Sequence, residues 1–306
     1  MTPLPSLPPR ASLQYLAEGA ANIVYRLTIP RSSPSTEADI SDSDSRCGST
    51  TQRHSEIEAL SYDPVFDGKL LRLRKALPST VCNEESYRRF QDVIRPLFPA
   101  ENLVEQVLVH VPPHVVAECN RQLQLDESDA RTRPRKRCGV YLAQDEPYGT
   151  LITDMSPNAD AGEVLVEFKP KWLVQSPSAP LGSRRCRTCA LRVKKNAQRR
   201  VLGEAKSLSF CPLDLVSRDR GRVKRAITAI CSSSKESPLY TDEFRDRLVD
   251  FLYENPLLLK LKQLQQDLDE IGVLEADVTS RDFLTAMTLR DCTMFLKVCS
   301  CSKKLA

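Results

Sequence analysis

The stretch EVLVEFKPKW, residues 163–172, begins as a strand and ends in two lysines separated by one proline. Val164, Val166 and Phe168 recur at every second position in a mostly apolar run, which is typical of a strand inside a sheet. Lysine is rarely buried without a partner. We therefore expect an anionic group at the end of this strand.

The proline constrains how the two lysines are presented. Pro170 fixes its own φ angle and biases Lys169 toward an extended conformation. Lys169 and Lys171, one residue apart in an extended segment, are predicted to project to the same side. Two ammonium groups held close together repel each other unless a polyanion lies between them. The pattern predicts a polyanion site, and the alternative is a pair of solvated surface lysines.

Length and composition restrict the class of protein. The chain has 306 residues, of which 41% are hydrophobic, enough for one large domain or two modest lobes. Its 44 basic and 40 acidic residues give a net charge of +4, which argues against a general nucleic-acid coat protein. No stretch of 18 apolar residues and no signal peptide is present, so we expect a soluble, intracellular protein in the nucleus and/or the cytoplasm. Its eleven cysteines are expected to be thiols, with room for one metal site.

The N-terminal half has the pattern of an α+β fold. Residues 12–29 read as strand, small-residue turn and strand. Residues 30–56 are rich in Ser, Thr and Asp, and we interpret them as a flexible insertion. The remaining predicted elements are a strand at 68–77, a helix at 83–98, strands at 102–111 and 150–155, and the strand that begins at 163.

The C-terminal half is predicted to be mainly helical. Helical spacing covers residues 241–272, with Thr241 as a cap and Pro256 as a break or kink. The same pattern continues over 280–298, capped by Ser280.

Two features of the N-terminal half are candidates for binding a nucleotide. The turn at Gly19, Ala20, Ala21 and Asn22 lies between two strands, which excludes a Walker loop and a Rossmann fingerprint, because a helix must follow both. A small-residue hairpin can instead lie over nucleotide phosphates, as in protein kinases, or it is merely a turn. Arg72 alternates with apolar neighbours on the third strand, where a kinase fold keeps a phosphate-binding cation. A solvated strand face is the alternative for Arg72.

The run RRCRTCALRVKKNAQRR at 184–200 is strongly basic and contains no acid. It fits a nucleic-acid patch, a nuclear-import signal or the wall of a pocket for a phosphorylated ligand. Cys186 and Cys189 form a CxxC pair. A tetrahedral zinc site needs four ligands, which Cys211 and one of the three histidines would complete, and plain thiols are the alternative. Those histidines are His54, His110 and His114.

Taken in order, these segments resemble the inositol-pentakisphosphate 2-kinase family in its fungal form. The Lys-Pro-Lys segment after a strand glutamate is the family's signature. Members resemble protein kinases in their two-lobed fold and transfer the γ-phosphate of ATP, with Mg²⁺, to the 2-hydroxyl of inositol pentakisphosphate, giving the hexakisphosphate (phytic acid). The matching segments are EGAANIVYRL, LLRLRKA, LITDMS, VEFKPKW, CRTCALR, FCPLDLVS and AMTLRDCTMFLKV.

The resemblance implies a role for each matching residue. Gly19, Ala20, Ala21 and Asn22 would form a loop over the ATP phosphates, which Arg72 would also contact. Asp154 and Met155 would sit at the hinge beside adenine. Lys169 and Lys171 would hold substrate phosphates, with Lys195 as a weaker candidate. Asp291 would be the catalytic aspartate that accepts or orients the attacking hydroxyl.

The resemblance also implies a domain division and one departure. A flexible N-terminus at 1–11 would precede an N-lobe at 12–155 and a C-lobe at 156–306 that is cut short. In the family, an Asp-Leu-Asp-x-Lys stretch after the catalytic aspartate supplies Mg²⁺ ligands, and this chain has none after Asp291. QQDLDEIG at 265–272 precedes Asp291, so we interpret its Asp-Leu-Asp as coincidence and assign no metal ligand.

Two alternatives to a kinase remain from the sequence. One is a non-catalytic inositol polyphosphate binder that uses the same lysines. The other is a nuclear RNA- or DNA-binding protein that uses residues 184–200, although that run lacks the aromatic side chains on which single strands stack. Our prediction is a monomer with inositol pentakisphosphate and ATP as ligands, and with no nucleic-acid or membrane partner.

Overall fold

The computed structural model describes residues 4–30, 63–128, 133–158, 160–207, 209–233 and 240–299. The chain divides into two compact units, Met1–Asp154 and Met155–Ala306. The fold is α+β, as predicted. The flexible insertion predicted at 30–56 lies outside the described residues, except for Pro30. Among the described residues, no helix is both long and apolar enough to cross a lipid bilayer.

The first unit is built on a five-stranded antiparallel sheet with the strand order β1-β2-β3-β5-β4. Ile23, Leu71, Val109 and Leu151 are completely buried on this sheet, which agrees with the apolar alternation of the strands. The strands and helices in chain order are β1 (Ser12–Glu18), β2 (Asn22–Thr28), β3 (Lys69–Arg74), α1 (Asn83–Arg89), β4 (Gln106–His110), α2 (Pro113–Ser128) and β5 (Tyr148–Thr153).

Two elements of the first unit differ from the prediction. Regular α-helix ends at Arg89, and a π-helix at Phe90–Ile94 and a 3₁₀ helix at Arg95–Leu97 replace the rest of the helix predicted over 83–98. Pro96 lies in this region and has no N–H for an α-helical hydrogen bond.

The helix α2 was missed, because its apolar residues are few and only Val116, Cys119 and Leu123 make a narrow buried stripe.

The N-terminal segment runs beside the edge strand β4. The backbone N–H of Leu7 donates to the carbonyl of His110 at 2.9 Å, and the N–H of His110 donates to the carbonyl of Pro5 at 2.9 Å. The Leu7 side chain is buried. Pro5 and Leu7 belong to the segment 1–11 that was predicted to be flexible, and in the structure they are hydrogen-bonded to the last residue of β4.

The second unit combines a two-stranded antiparallel ribbon with six helices among its described residues. Thr241 and Ser280 cap their helices as predicted, each accepting a hydrogen bond from the backbone N–H three residues later. Pro256 is the first residue of its helix. The elements are β6 (Glu163–Phe168), α3 (Arg187–Val201), α4 (Pro212–Leu215), α5 (Arg220–Ser233), α6 (Asp242–Leu252), α7 (Pro256–Asp267), α8 (Arg281–Asp291) and β7 (Met294–Cys299).

The prediction of helix over 280–298 was wrong after Asp291. The helix α8 ends there, and β7 pairs with β6 from Phe168↔Met294 to Glu163↔Cys299. A short apolar run such as MFLKV suits either a helix or a strand, and pairing with β6, far away in sequence, decides for the strand. As a result, the last residue of α8 lies beside the end of β6.

Candidate functional site

The β6–β7 ribbon places the Lys-Pro-Lys segment next to Asp291. Phe168, the last residue of β6, pairs with Met294, the first residue of β7. Lys169 follows directly after Phe168, and Asp291 lies three residues before Met294. The strand register therefore brings together two parts of the chain that are about 120 residues apart in sequence.

The two lysines converge on the Asp291 carboxylate. Lys169 Nζ donates to Asp291 Oδ2 at 3.1 Å and to the Asp291 carbonyl at 3.0 Å, and Lys171 Nζ donates to Oδ1 at 2.5 Å. The prediction that both side chains project to one side is confirmed. The reason given for it was wrong at Lys171, whose φ of 58° is left-handed and not extended. The anionic group expected at the strand end is, in this structure, a carboxylate of the chain itself.

The lysines keep the aspartate ionised. Burial raises the pKa of Asp291, but the hydrogen bonds and charges of Lys171 and Lys169 outweigh it, so the pKa lies below its ordinary value. All three side chains are substantially exposed, with 43%, 38% and 65% of Lys169, Lys171 and Asp291 accessible to solvent. Ion pairs this exposed contribute little to stability. An incoming anion can therefore replace Asp291 as the partner of the lysines at a small cost in free energy.

A pocket of about 540 Å³ opens beside the two lysines. Its wall is largely apolar, with the hydroxyls of Thr188 and Ser209 and the carboxylate of Glu167 as further polar groups. A concave surface with a few polar groups is the usual form of a small-ligand site. The lining residues are Leu165, Glu167, Phe168, Lys169, Lys171, Thr188, Ser209, Phe210, Pro212, Ile230 and Tyr240.

The basic run forms the helix α3, which flanks this pocket. Arg192 donates to the carbonyls of Ser209 and Phe210, and so holds part of the pocket wall. Lys195 is exposed and lies seven residues after Thr188, on the same helix face and about 10 Å further along the axis. Lys195 is therefore on the pocket side of α3, although it is not among the lining residues.

Three cysteines form a cluster at the start of α3. The sulfur atoms of Cys186, Cys189 and Cys211 all lie within 4.8 Å of one another, and those of Cys186 and Cys211 are 3.7 Å apart. Burial raises the pKa of Cys189 to about 12. Three convergent sulfurs suit a soft metal such as Zn²⁺. A histidine was predicted to complete the site. Neither His110 nor His114 belongs to this cluster, and His54 lies outside the described residues.

We expect the cysteine cluster to bind Co²⁺, a spectroscopic substitute for Zn²⁺, and to give the absorption bands of thiolate coordination. Cys189→Ser should abolish these bands, whereas Cys138→Ser, at an exposed thiol outside the cluster, should leave them unchanged. Binding should strengthen as pH rises, because the thiols must lose protons. Bands that are absent from the native chain would show that the three thiols are not metal ligands, and bands that survive Cys189→Ser would show that Cys189 is not one.

The hairpin at residues 19–22 is fixed by a buried ion network. The Gly19 N–H donates to the Asn22 carbonyl at 2.9 Å, and Lys75 Nζ donates to the Gly19 carbonyl at 2.9 Å. Lys75 also forms an ion pair with Glu18, and neither side chain is accessible to solvent. Arg133 completes the network through a 2.9 Å contact with Glu18. The backbone of this turn is thus fixed by hydrogen bonds to the buried Lys75, while Gly19 itself is exposed.

The other predicted nucleotide residues lie on β3 and at the end of β5. Arg72 Nη2 donates to Gln106 Oε1 at 3.0 Å, and burial lowers the pKa of its guanidinium. Asp154 donates its N–H to the Gly68 carbonyl at 2.7 Å and is the last residue of the first unit, and Met155 is the first of the second. Their nucleotide contacts stay predictions.

Several residues around these sites were missed from the sequence. A usable signal existed for Lys75, because it shares the strand parity of the buried Leu71 and Leu73, and a lysine on the apolar face needs a partner. A similar signal existed for Gln265 and Arg290, which are buried behind the Lys-Pro-Lys segment, because helical spacing places each of them on the apolar face of its helix.

Comparison with known proteins relates the chain to one family model and to a curated relative. The model of the family described as inositol-pentakisphosphate 2-kinase matches residues 15–306. A protein of Yarrowia lipolytica named inositol-pentakisphosphate 2-kinase is 30% identical over 173 residues, which cover 50% of this chain and 53% of that protein. The match thus spans about half the length of this curated relative.

Proposed function

Because the chain belongs to the inositol-pentakisphosphate 2-kinase family, we propose that it transfers the γ-phosphoryl group of ATP to the 2-hydroxyl of inositol 1,3,4,5,6-pentakisphosphate. The product would be the hexakisphosphate. The observation that best supports this is the convergence on Asp291 of Lys169 and Lys171, both of which line a pocket. Two cations and one acceptor are the groups that phosphate binding and hydroxyl orientation require.

In this proposal the lysines hold substrate phosphates. Each ammonium group has three donors and no acceptor, so Lys169 and Lys171 can bind phosphate oxygens and still contact Asp291. Lys195 would add charge from the pocket side of α3, where the described residues from Arg187 to Val201 include no acid. A substrate with five phosphates needs such an accumulation of cations.

The proposed nucleotide ligand is ATP, bound as in protein kinases. The backbone of residues 19–22 would cover its phosphates, Arg72 would approach them, and Asp154 with Met155 would contact the base. The rigid support of the hairpin by Lys75 favours this proposal, because a preorganised loop spends little free energy on ordering when the anion binds.

Asp291 would accept a hydrogen bond from the 2-hydroxyl and orient it for attack. The lysines lower the pKa of its carboxyl, so at neutral pH it is a charged acceptor and a weak base. Phosphoryl transfer depends mainly on positioning and charge stabilisation, and an orienting carboxylate is sufficient for that.

The described carboxylates near Asp291 do not form a fitting set for the Mg²⁺ that accompanies ATP in kinases. Both Asp291 oxygens accept from lysines, and Asp269 is paired with Arg290. Within the described ranges, the one cluster of three or more metal-capable side chains is the cysteine group, and Mg²⁺ prefers oxygen ligands. We assign no step to a metal held by these residues. This observation favours, as second candidate, an inositol polyphosphate binder without phosphoryl transfer.

Asp291→Asn should separate the two candidates. The chain, with Mg²⁺-ATP and inositol pentakisphosphate, should form hexakisphosphate on chromatography, and Asp291→Asn should lower the rate about 10²- to 10⁴-fold. Calorimetric affinity for inositol pentakisphosphate should be equal or tighter in this variant, because a negative charge near phosphates is removed. Asp282→Asn, on the exposed first turn of α8, should change neither quantity.

The possible results of this experiment have distinct meanings. Binding by the native chain without any product would support the non-catalytic binder. Neither binding nor product would overturn both proposals. A rate that Asp291→Asn leaves unchanged would remove Asp291 from the mechanism.

A further inference from the structure

A buried polar cluster lies directly behind the Lys-Pro-Lys segment. It consists of Gln265, Asp269 and Arg290, which are 1%, 4% and 3% accessible, and Arg290 packs against Trp172. We propose that Gln265 is a positioning residue that fixes the backbone of Lys171 and, together with Arg290, holds Lys171 and Asp291 in register. The proposal concerns geometry, and it rests on the proposed function only for the identity of the ligand.

Gln265 makes two short hydrogen bonds to the segment that carries Lys171. Its Nε2 donates to the Lys171 carbonyl at 2.9 Å, and its Oε1 accepts from the Leu173 N–H at 2.9 Å. These bonds bracket Trp172 from both sides. One side chain of α7 therefore determines the backbone path of the segment immediately after Lys171.

The backbone of Lys171 needs such support. Its φ of 58° lies in the left-handed region, which residues with a side chain rarely adopt because the Cβ atom crowds the backbone. A conformation of this kind persists only where its surroundings fix it, and it is concentrated at functional sites. The left-handed turn is also what directs the Lys171 side chain back toward Asp291, so a loss of the turn would separate the two charges.

The same cluster reaches the residues beside Asp291. Gln265 Nε2 approaches the Leu289 carbonyl at 3.4 Å, and Arg290 Nη2 donates to the Gln265 carbonyl at 3.1 Å. Arg290 also pairs with Asp269 at 2.6 Å. Because Arg290 directly precedes Asp291, this pairing anchors the end of α8 to the end of α7.

Trp172 links the Lys-Pro-Lys segment to Arg290. The Arg290 guanidinium lies 3.8 Å from the centre of the Trp172 ring, in a cation–π contact. Trp172 is the one tryptophan of the chain and follows Lys171 directly. Its fluorescence therefore reports on this segment alone.

Gln265→Met tests the proposal, since it preserves chain length and approximate volume and removes both hydrogen bonds. The probe is inositol pentakisphosphate without nucleotide, titrated by Trp172 fluorescence and by calorimetry. We expect affinity to fall at least about tenfold, as for the loss of one or two hydrogen bonds to a positioned group. Should Gln265→Met not fold, Gln265→Glu is measured in the same way, because its carboxylate accepts from Leu173 but cannot donate to Lys171.

Leu258→Ala is the matched control. Leu258 is buried on the same helix, about two turns before Gln265, and its truncation should lower the melting temperature at least as much as Gln265→Met. If the role of Gln265 is positioning, Leu258→Ala should leave the affinity within about twofold of the native value. Equal affinities for Gln265→Met and the native chain would overturn the proposal, as would equal losses in Gln265→Met and Leu258→Ala.

A second readout needs no ligand. The Asp291 carboxyl can be titrated by carbon NMR and assigned by its disappearance in Asp291→Asn. If Gln265→Met displaces Lys171, the pKa of Asp291 should rise toward its ordinary value, whereas an unchanged pKa would overturn the proposal. Failure of the native chain to bind inositol pentakisphosphate would instead count against the proposed function, and the NMR titration would still decide the role of Gln265.

Discussion

Replacing Lys171 by Met is expected to weaken the binding of inositol pentakisphosphate about 10- to 100-fold. A hydrogen bond to a charged group contributes about 1.5–3 kcal/mol, and a tenfold change in affinity corresponds to about 1.4 kcal/mol. Lys171→Met also removes a cationic partner of Asp291, which leaves an exposed carboxylate to repel the incoming phosphates. Both effects act in the same direction. Calorimetry at constant ionic strength is the measurement, since phosphate binding by cations depends strongly on salt.

Lys224→Met is the control for the loss of one positive charge. Lys224 is an exposed lysine on α5 that pairs with Asp246, so its loss should alter affinity less than about twofold. Lys169→Met should resemble Lys171→Met, and the double variant should not show the sum of the two losses, because both lysines contact one carboxylate. Equal affinities for Lys171→Met and Lys224→Met would mean that general charge, and not this site, attracts the ligand.

Replacing Lys75 by Met is expected to destabilise the first unit by about 3 kcal/mol or more. Lys75 and Glu18 are both inaccessible to solvent, and the removal of one partner of a buried ion pair typically costs about 3–5 kcal/mol, because a charge is left uncompensated. Arg133 still neutralises part of the Glu18 charge, which places the expected value at the lower end. Native-state hydrogen exchange at the amides of β1 and β2 measures the free energy locally.

Lys69→Met provides the matched comparison on the same strand. Lys69 is 12% exposed and its partner Glu105 is 65% exposed, so Lys69→Met leaves no buried carboxylate without a partner and is expected to cost about 1 kcal/mol. Protection at β1 and β2 that falls equally in both variants would contradict the view that the Glu18–Lys75 pair supports the hairpin at residues 19–22.

Much of the fold could be predicted, because many of its signals are local. The hairpin of β1 and β2 follows from alternation around a small-residue turn, and Thr241, Pro256 and Ser280 mark helix starts through chemistry within three residues. The prediction failed at β7, where the outcome depends on pairing with β6 across the length of the second unit. Local pattern carries no information about such a partner.

The candidate site likewise has parts that the sequence predicts and parts that it does not. The lysines and Asp291 were identified from a short motif and a family resemblance, and the structure brings them together. The left-handed Lys171 and its support by Gln265 could not be predicted, because Gln265 lies 94 residues further along the chain. Helical spacing places Gln265 on the same face as the buried Leu258 and Leu261, but it does not show which backbone groups this side chain meets. Buried polar contacts of this kind depend on the complete packing of the unit.

The central claim is that Lys169 and Lys171 bind the phosphates of an inositol polyphosphate beside Asp291. A crystal structure of the chain grown with inositol pentakisphosphate tests it most directly. We predict phosphate oxygens about 3 Å from both Nζ atoms, with a ring hydroxyl facing the Asp291 carboxylate. A ligand bound elsewhere, with both lysines still paired only with Asp291, would contradict the account.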